Sequence, residues 1–235
     1  RAYVWAKEML ARSNQVRRAI EELSLGTGGS VVVAASIAVG SYLVPPLLSR
    51  LRQERTGADI TVHAIPAEQA LHLVEVGEAD LAVLNWHDRL RSPLLHFEKL
   101  RDEPLVLCTS PRSKFTQDSI GIAELSTLPL VGVPRDVAYQ RVVEAQLRDL
   151  GVGDLNVVIR LGHAEAIKQA VLDHGWLSLI PYYCVAEDLA TGRLRRVEIS
   201  DAAIHEPIGL FYRHDTHFSP LQQAALDAIR EGASR

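Results

Sequence analysis

Hydrophobic residues in the first 25 positions recur with the spacing of one narrow helix face. Residues 2–25 contain no Gly or Pro, so they predict a helix of about six turns. The apolar residues at a and d heptad positions, among which Arg12 is the polar exception, are Ala2, Trp5, Met9, Val16, Ala19 and Leu23. So narrow a stripe favours pairing with another helix, and packing on its own domain is the alternative. Glycines at 26, 28 and 29 predict a flexible joint after the helix.

After this joint the pattern changes to short apolar strands that alternate with amphipathic helices. The uninterrupted apolar run at 31–35 predicts a strand that is buried on both faces. A helix follows, in which Pro45 and Pro46 fit only the first turn. Strand 60–64, helix 68–76 and strand 80–84 complete this first pass. The order is typical of a parallel sheet with crossover helices.

A second pass of the same kind follows a polar loop at 85–93 and a predicted strand at 104–109. From there to the end of the chain the predicted strands are 130–133, 155–161, 177–180, 194–199 and 208–212, and the predicted helices are 138–150, 163–174, 183–189 and 219–231. The two passes show no evident sequence identity, so the repetition is one of architecture. Two similar α/β lobes joined by strands are typical of a binding module with its ligand in the cleft.

Composition and charge exclude several classes of protein. Hydrophobic residues make up 47% and charged residues 23% of the 235, which excludes wholesale disorder. The net charge of −4 is not typical of a nucleic-acid-binding protein. The longest apolar run, 31–39, is too short for the ~20 residues of a membrane helix. The chain begins without a signal-peptide pattern, so we expect a cytoplasmic protein without a membrane partner.

The sequence offers few candidates for catalytic or metal-binding residues. Cys108 and Cys184 each lie in an apolar stretch, which predicts two reduced, buried thiols, with a single disulfide as the alternative. The nine histidines show no spacing typical of a metal site, so we expect no metal and no cofactor. No nucleophile elbow and no phosphate-binding glycine loop occurs in the sequence. We therefore expect no enzymatic activity.

Four stretches follow one another in an informative order. The first is the long helix, the glycine joint and the strand that follows. The others are Leu-Val-Pro-Pro-Leu-Leu-Ser-Arg-Leu-Arg at 43–52, Gly-Glu-Ala-Asp-Leu-Ala-Val at 77–83 and Ala-Val-Leu-Asp-His-Gly-Trp-Leu-Ser-Leu-Ile-Pro at 170–181. Together, over nearly the whole chain, they resemble the linker helix and effector-binding domain of a LysR-type transcriptional regulator.

The resemblance implies an α/β fold with two Rossmann-like lobes of the type 2 periplasmic-binding-protein kind. Two crossover strands would join the lobes, and a long linker helix would precede them. The linker or dimerisation helix would cover 1–25, lobe I 29–107 plus 209–235, and lobe II 108–208. Two departures are present: the family's N-terminal winged helix-turn-helix is absent, and glycine at 57 replaces the common proline before the second strand. Glycine can make the same turn.

Five predicted strand ends carry candidate ligand residues, because ligands of open parallel sheets bind beyond the carboxyl ends of strands. These candidates are Ser36, Ile37, Ala38, Pro66, Ala67, Asn85, Val133, Pro134, Arg135, Gly162 and His163. Helices begin at several of these ends, and the free N–H groups of a helix start favour an anion.

Each candidate has a structural alternative. In the resembled family a Ser or Thr at the place of Ser36 contacts the effector, but the residue could also be a plain helix cap. Pro66 could belong to an ordinary loop, and Arg135 could neutralise an acid or remain solvated. Gly162 allows close backbone approach. His163 could donate to a ligand as a neutral imidazole or face solvent at the helix start.

The sequence and the resemblance together predict an effector-sensing regulatory domain. It would bind a small, anionic metabolite in the cleft and change the geometry of a homodimer or homotetramer. It would reach promoter DNA through a helix-turn-helix that this chain lacks. The alternative is a transporter-associated solute-binding protein, which the Arg-rich first helix and the missing signal disfavour. An enzyme on the same fold is a third class, for which no nucleophile–base pair is evident.

Overall fold

The computed structural model describes residues 2–25, 29–87 and 90–233. The strands are β1 Ser30–Ala35, β2 Asp59–Ala64, β3 Leu81–Asn85, β4 Leu95–Thr109, β5 Ser119–Ile120, β6 Leu130–Gly132, β7 Val157–Arg160, β8 Leu177–Pro181, β9 Arg195–Ile199 and β10 His205–Arg213. The helices are α1 Ala2–Leu25, α2 Val44–Glu54, α3 Ala67–Glu75, α4 Ala138–Asp149, α5 Ala164–His174, α6 Tyr182–Ala190 and α7 Pro220–Ala233. Within these described residues, no helix combines the length and the apolar character needed to cross a bilayer.

The chain divides into two compact units. Unit 1 comprises Arg1–Arg101 and Pro207–Arg235, and unit 2 comprises Asp102–Glu206. The chain passes from one unit to the other twice, within β4 and within β10. The predicted α/β class, with two strands that run through both units, is confirmed.

The sheet of unit 1 has the order β2-β1-β3-β10. β1 is parallel to both neighbours, and Val33 lies opposite Val62 on one side and Leu81 on the other. β10 runs antiparallel to β3, with Leu210 opposite Val83. Because α2 and α3 connect the three parallel strands, their carboxyl ends lie at one edge of the sheet.

Unit 2 repeats this plan. β6 lies between β7 and β8 and is parallel to both. β4 runs antiparallel to β8, with Val106 opposite Ile180, and β9 pairs with β4 as well. α4 and α5 connect the parallel strands, so unit 2 also has one edge where strand carboxyl ends and helix starts meet.

β4 is longer than predicted. It begins at Leu95, whereas only residues 104–109 were predicted as strand. Its first part is rich in charged residues, which concealed the strand pattern. The structure shows why they are tolerated: Glu98 accepts a hydrogen bond of 2.6 Å from Arg230 of α7, and the Arg101 guanidinium donates to the Ala233 carbonyl at 3.4 Å. The sequence also did not predict β5 or the 3-10 helix Ile122–Thr127 that follows it.

The segment after β1 becomes helical before its prolines. A π turn covers Val39–Leu43, and Pro45 and Pro46 follow in the first turn of α2, where the lack of a proline N–H costs least. Gly40, in the π turn, lies close against β2, since a Cβ there would be 2.9 Å from the Cβ of Ala64. The absence of a side chain at this position lets the start of the helix lie close to the sheet edge.

Asp80 ties β3 to its surroundings in unit 1. It is 6% exposed. One carboxylate oxygen accepts the N–H of Val32 at 2.8 Å, and the other accepts the amide of Gln222 of α7 at 3.0 Å. The acidic residue of the Gly-Glu-Ala-Asp-Leu stretch therefore fixes the start of a strand whose other end carries Asn85.

Both cysteines are buried thiols, as predicted. Burial raises the pKa of the Cys108 thiol to about 12, and the nearby Asp188 carboxylate contributes to this shift. Burial also raises the pKa of Cys184. Both groups therefore stay in the unreactive thiol form at neutral pH.

Candidate functional site

The ends of β1, β2 and β3 lie side by side in unit 1. The N–H of Ile65, just after β2, donates to the carbonyl of Ala35 at 2.9 Å. The N–H of Ser36, just after β1, donates to the carbonyl of Val83 at 3.2 Å. The predicted ligand residues that follow these three strands therefore lie at one sheet edge.

Ser36 and Asn85 make a reciprocal contact at this edge. The Ser36 hydroxyl donates to Oδ1 of Asn85, and it accepts the backbone N–H of Asn85 at 3.3 Å. Ser36 is only 7% exposed. Its hydroxyl thus bonds to the neighbouring strand end and not to the helix amides, which differs from a plain helix cap. The contact orients the Asn85 side chain so that its Nδ2 donors point away from Ser36.

The backbone after Ser36 adds further donors. The N–H of Gly40 donates to the Ser36 carbonyl at 2.8 Å, which is the first bond of the helix. The N–H groups of Ile37 and Ala38 precede this bond, in the turn where a helix leaves its donors to other acceptors. Ile37 and Ala38 are both half-buried. Together with the Asn85 amide, these donors suit a carboxylate or phosphate group.

Pro66 and Ala67 form the start of α3 at the same edge. Pro66 is exposed and is the N-cap residue, and its carbonyl accepts the N–H of Ala70 at 2.9 Å. Ala67 is half-buried. Neither side chain carries a polar group, so any hydrogen bond to a ligand here would come from the backbone.

Trp86 is a residue of this edge that the sequence reasoning missed. Its half-buried indole stacks on Phe97 with ring centroids 5.1 Å apart. It was passed over because it falls in a segment predicted as a polar loop. It follows Asn85 directly at the carboxyl end of β3.

The second set of predicted residues lies at the corresponding edge of unit 2. Val133 and Pro134 follow β6 and are half-buried, whereas Arg135 is exposed. Gly162 and His163 follow β7 and are exposed, and His163 is the N-cap of α5 without a side-chain capping bond. The two segments adjoin, because the N–H of Leu161 donates to the carbonyl of Gly132 at 2.9 Å.

Arg160 is the cationic residue at this edge that the sequence reasoning did not name. It is the last residue of β7, and its guanidinium donates to the Val133 carbonyl at 2.9 Å. This bond uses one of the five N–H donors of the guanidinium. It holds the positive charge between the segment that follows β6 and the segment that follows β7. The predicted strand ran to residue 161, so Arg160 counted as a strand residue and not as a strand end.

The groups at these edges are suited to binding. Across the described parts of the chain, no three His, Cys, Asp or Glu side chains come together as metal ligands. The donors named above are amides, a hydroxyl and a guanidinium, which recognise oxygen acceptors.

α1 presents a second candidate surface, made of large apolar side chains. Four residues of the predicted heptad face or its flank are 60% to 73% exposed, namely Trp5, Met9, Val16 and Ile20. We call them the exposed stripe. The side chains of Ala2, Ala19 and Leu23, and the predicted joint at 26–28, lie outside the described residues. Solvent-exposed apolar stripes of this kind mark interaction surfaces.

Comparison with known proteins agrees with this geometry. The family model of the LysR substrate binding domain matches residues 25–234. A probable RuBisCO transcriptional regulator of Cyanidioschyzon merolae is 26% identical over 206 residues, 86% of this chain and 68% of the relative. Similar structures include the Synechocystis CcmR regulatory domain in complex with 2-PG, with TM-score 0.69, 20% identity and coverage of 86% and 96% of the two chains.

A longer structure is similar as well. Full-length CbnR complexed with its target DNA matches with TM-score 0.75 and 15% identity, over 98% of this chain and 80% of CbnR. At this identity the likeness concerns the fold, and it includes the region of α1. The family model, in contrast, matches most of the sequence itself. The chain therefore belongs to the LysR substrate binding domain family.

Proposed function

We propose that the chain senses a small anionic metabolite at the strand ends of unit 1, as the effector-binding domain of a LysR-type regulator. The observation that carries this proposal is the Ser36–Asn85 contact. It turns the Asn85 Nδ2 donors away from Ser36, at the sheet edge where the first turn of a helix also begins. A carboxylate or phosphate bound there would accept hydrogen bonds from both sources.

The neighbouring residues indicate what else the ligand carries. We propose Trp86, which follows Asn85 at the same strand end, as a further contact, so that the ligand would combine an oxyanion with a flat or apolar part. In unit 2, Arg160 is the strongest candidate for a charge-assisted bond. We propose the predicted residues of that edge as further ligand contacts, namely Val133, Pro134, Arg135, Gly162 and His163. The CcmR domain in complex with 2-PG supports a small-molecule ligand for this fold.

The wider role follows from the relatives. The curated relatives are transcriptional regulators, and we propose that this chain likewise acts in the cytoplasm without catalysis of its own. Promoter DNA would be bound by a separate helix-turn-helix that precedes α1 in a longer protein, assembled as a homodimer or homotetramer. The solute-binding protein of a transporter is not favoured, because the matching relatives are regulators.

Replacing Ser36 with Ala should weaken ligand binding roughly tenfold, the value of one hydrogen bond of about 1.4 kcal/mol. The Asn85 amide would lose the donor that orients it. A panel of 2-PG, shikimate, citrate and inorganic phosphate would first be screened by thermal shift. A binder at 100 times its Kd should stabilise the protein by about 2.7 kcal/mol. Calorimetry then compares its affinity for wild type and Ser36→Ala.

The matched control is Ser41→Ala. Ser41 is exposed in the same helical segment, and its hydroxyl donates to the Ile37 carbonyl at 2.7 Å. Its removal should leave affinity unchanged. Equal affinity of wild type and Ser36→Ala would remove Ser36 from the site. A panel in which no compound raises the melting temperature would contradict the anion site itself.

Charges placed in the exposed stripe should lower the oligomeric state. In Met9→Glu combined with Val16→Glu, like charges would face a partner helix, so the light-scattering mass should fall to that of a smaller assembly. Leu10→Glu is the control, because Leu10 is 48% exposed on the same helix but lies about 100° from the stripe. An unchanged mass for the double variant would show that the stripe does not pair subunits.

A further inference from the structure

A groove on the surface of unit 2 is distinct from the proposed ligand edges. It has a volume of about 510 Å³ and lies beside α6 and the first residues of β9. The residues that line it include Pro111, Tyr182, Leu189, Leu194, Arg195 and Arg196. No residue proposed above as a ligand contact lines this groove, which we call the α6 groove.

The floor of the α6 groove is apolar. Leu194 is buried and Leu189 is half-buried, and both belong to the lining. Tyr182 and Pro111 are exposed and form part of the margin. Tyrosine is enriched at protein interfaces, because its ring supplies a large contact area and its hydroxyl can stay in contact with water. The groove therefore offers an apolar surface that is open to solvent.

Arg195 places a fixed positive charge on the groove. Its guanidinium donates to the carbonyls of Phe115 and Gln117, at 2.6 and 2.9 Å, and to the Asp118 carboxylate at 3.1 Å. All three acceptors lie in the loop after β4, and together they hold the guanidinium in one orientation. A charged group that is ordered before a partner binds loses less conformational entropy on binding.

Arg196 adds a second positive charge that is held less firmly. It lies 3.2 Å from the Glu198 carboxylate, but the two side chains are 53% and 57% exposed. An ion pair as exposed as this one contributes little to stability. A carboxylate of a partner can therefore take the place of Glu198 at little cost.

The two segments that border the groove carry more positive than negative charge. Residues 111–118 and 192–198 contain five basic and two acidic residues, namely Arg112, Lys114, Arg193, Arg195 and Arg196 against Asp118 and Glu198. The whole chain, in contrast, has a net charge of −4. Such a local positive charge attracts an acidic partner and disfavours a basic one.

We propose that the α6 groove docks an acidic segment of a partner protein. Carboxylates of this segment would face Arg195 and Arg196, and one of its apolar side chains would cover Leu189 and Leu194. A small metabolite fits the open groove less well, because small-molecule pockets enclose most of the ligand surface. Nucleic acid also fits less well, because contacts to its phosphates would leave the apolar floor uncovered. The proposal is independent of the ligand at the strand ends.

Selection of a random library of short displayed peptides on the full chain tests this proposal. The enriched peptides should contain Asp or Glu on both sides of a large apolar residue. Fluorescence anisotropy then compares the affinity of labelled synthetic copies for wild type and variants. Arg196→Glu should weaken binding at least about tenfold, because a like charge would face the peptide. Tyr182→Ala should weaken it roughly threefold through lost contact area.

Arg148→Glu is the matched control for the change in charge. Arg148 is exposed on α4, which contributes no residue to the lining of the groove. Its affinity for the peptides should equal that of wild type. Circular dichroism and thermal melting check that Arg196→Glu stays folded. If that variant unfolds, Arg196→Ala removes the positive charge without adding a negative one and should still weaken binding about threefold.

Several results would overturn the proposal. A selection that enriches no acidic peptide would show that the groove does not dock such a segment. Equal affinity of wild type and the folded Arg196 variant would place the peptides elsewhere, and an equal loss in Arg148→Glu would make net charge the cause. Labelled duplex DNA is measured in the same assay. If wild type binds this DNA but no peptide, and Arg196→Glu releases it, the groove is a nucleic-acid site.

Discussion

Replacing Lys168 with Met should lower the free energy of unfolding of unit 2 by about 3 kcal/mol, the low end of the cost of breaking a buried ion pair. Lys168 of α5 is 6% exposed, and its ammonium lies 2.9 Å from Asp188 of α6, also 6% exposed. The variant would leave the Asp188 carboxylate buried without that partner. Arg193 lies 3.2 Å from the other Asp188 oxygen and would compensate in part. The slowest-exchanging amides of β8 report this free energy.

A double substitution separates the energetic effect of the buried charge from that of side-chain packing. Lys168→Met combined with Asp188→Leu removes both charges, so its stability should return to within about 1 kcal/mol of wild type. Glu165→Gln is the control, because Glu165 contacts the same ammonium at 2.6 Å but is 65% exposed. A surface pair contributes about 1 kcal/mol or less. Should the double variant be as unstable as Lys168→Met, lost packing would be the cause.

The pH dependence of this pair has a defined sign. Burial lowers the pKa of Lys168, but its hydrogen bonds to Glu165 and Asp188 raise it more, and the net shift is upward. A pKa above the unfolded value of about 10.4 means that the stabilisation is complete below that pH. It is lost as the pH rises through the folded pKa. The difference between wild type and Lys168→Met should therefore shrink in strong alkali.

Replacing Asn85 with Asp should weaken binding of the anionic ligand by more than about 100-fold. A carboxylate would take the place of the Nδ2 donors, and facing like charges cost several kcal/mol. The Ser36 hydroxyl can still donate to the new carboxylate, so we expect unit 1 to remain folded. Calorimetry with the tightest binder of the panel measures the change, and circular dichroism confirms the fold.

Asn156→Asp is the control for the added charge. Asn156 is exposed just before β7, so this variant changes the net charge equally without touching the unit 1 edge. Its affinity should match that of wild type. If both variants bind equally well, Asn85 does not contact the ligand. If both lose affinity, long-range charge is responsible rather than the site.

Periodicity predicted most elements because core-facing residues are apolar in a regular pattern. It failed in β4, where Glu98 and Arg101 face α7 with hydrogen bonds in place of apolar contacts. Polar side chains usually stay exposed to solvent, but a charged side chain can be buried when it is paired or hydrogen-bonded. The contacts of α1 with the end of α3 were missed for the same reason, because they come from the polar Lys7 and Asn14. The heptad pattern follows apolar residues alone.

The candidate site was predictable in position but not in detail. The strand-end rule placed Ser36 and Asn85 at one edge, because parallel strands share their orientation. It could not show that the Ser36 hydroxyl bonds to Asn85 instead of the helix amides. The partner of the hydroxyl depends on how close Ser36 and Asn85 come in the fold, and these residues are 49 positions apart in the sequence. Arg160 was missed because its role depends on the carbonyl of Val133, in a different strand–helix connection.

The two buried thiols have a practical consequence for following α1 in solution. Maleimide reagents attack the thiolate, and burial leaves almost none of it at Cys108 or Cys184 at neutral pH. A cysteine introduced at an exposed position such as Trp5 would therefore take the label selectively, with the native pair left in place. Fluorescent or spin probes can be attached to the helix without first replacing the two buried cysteines.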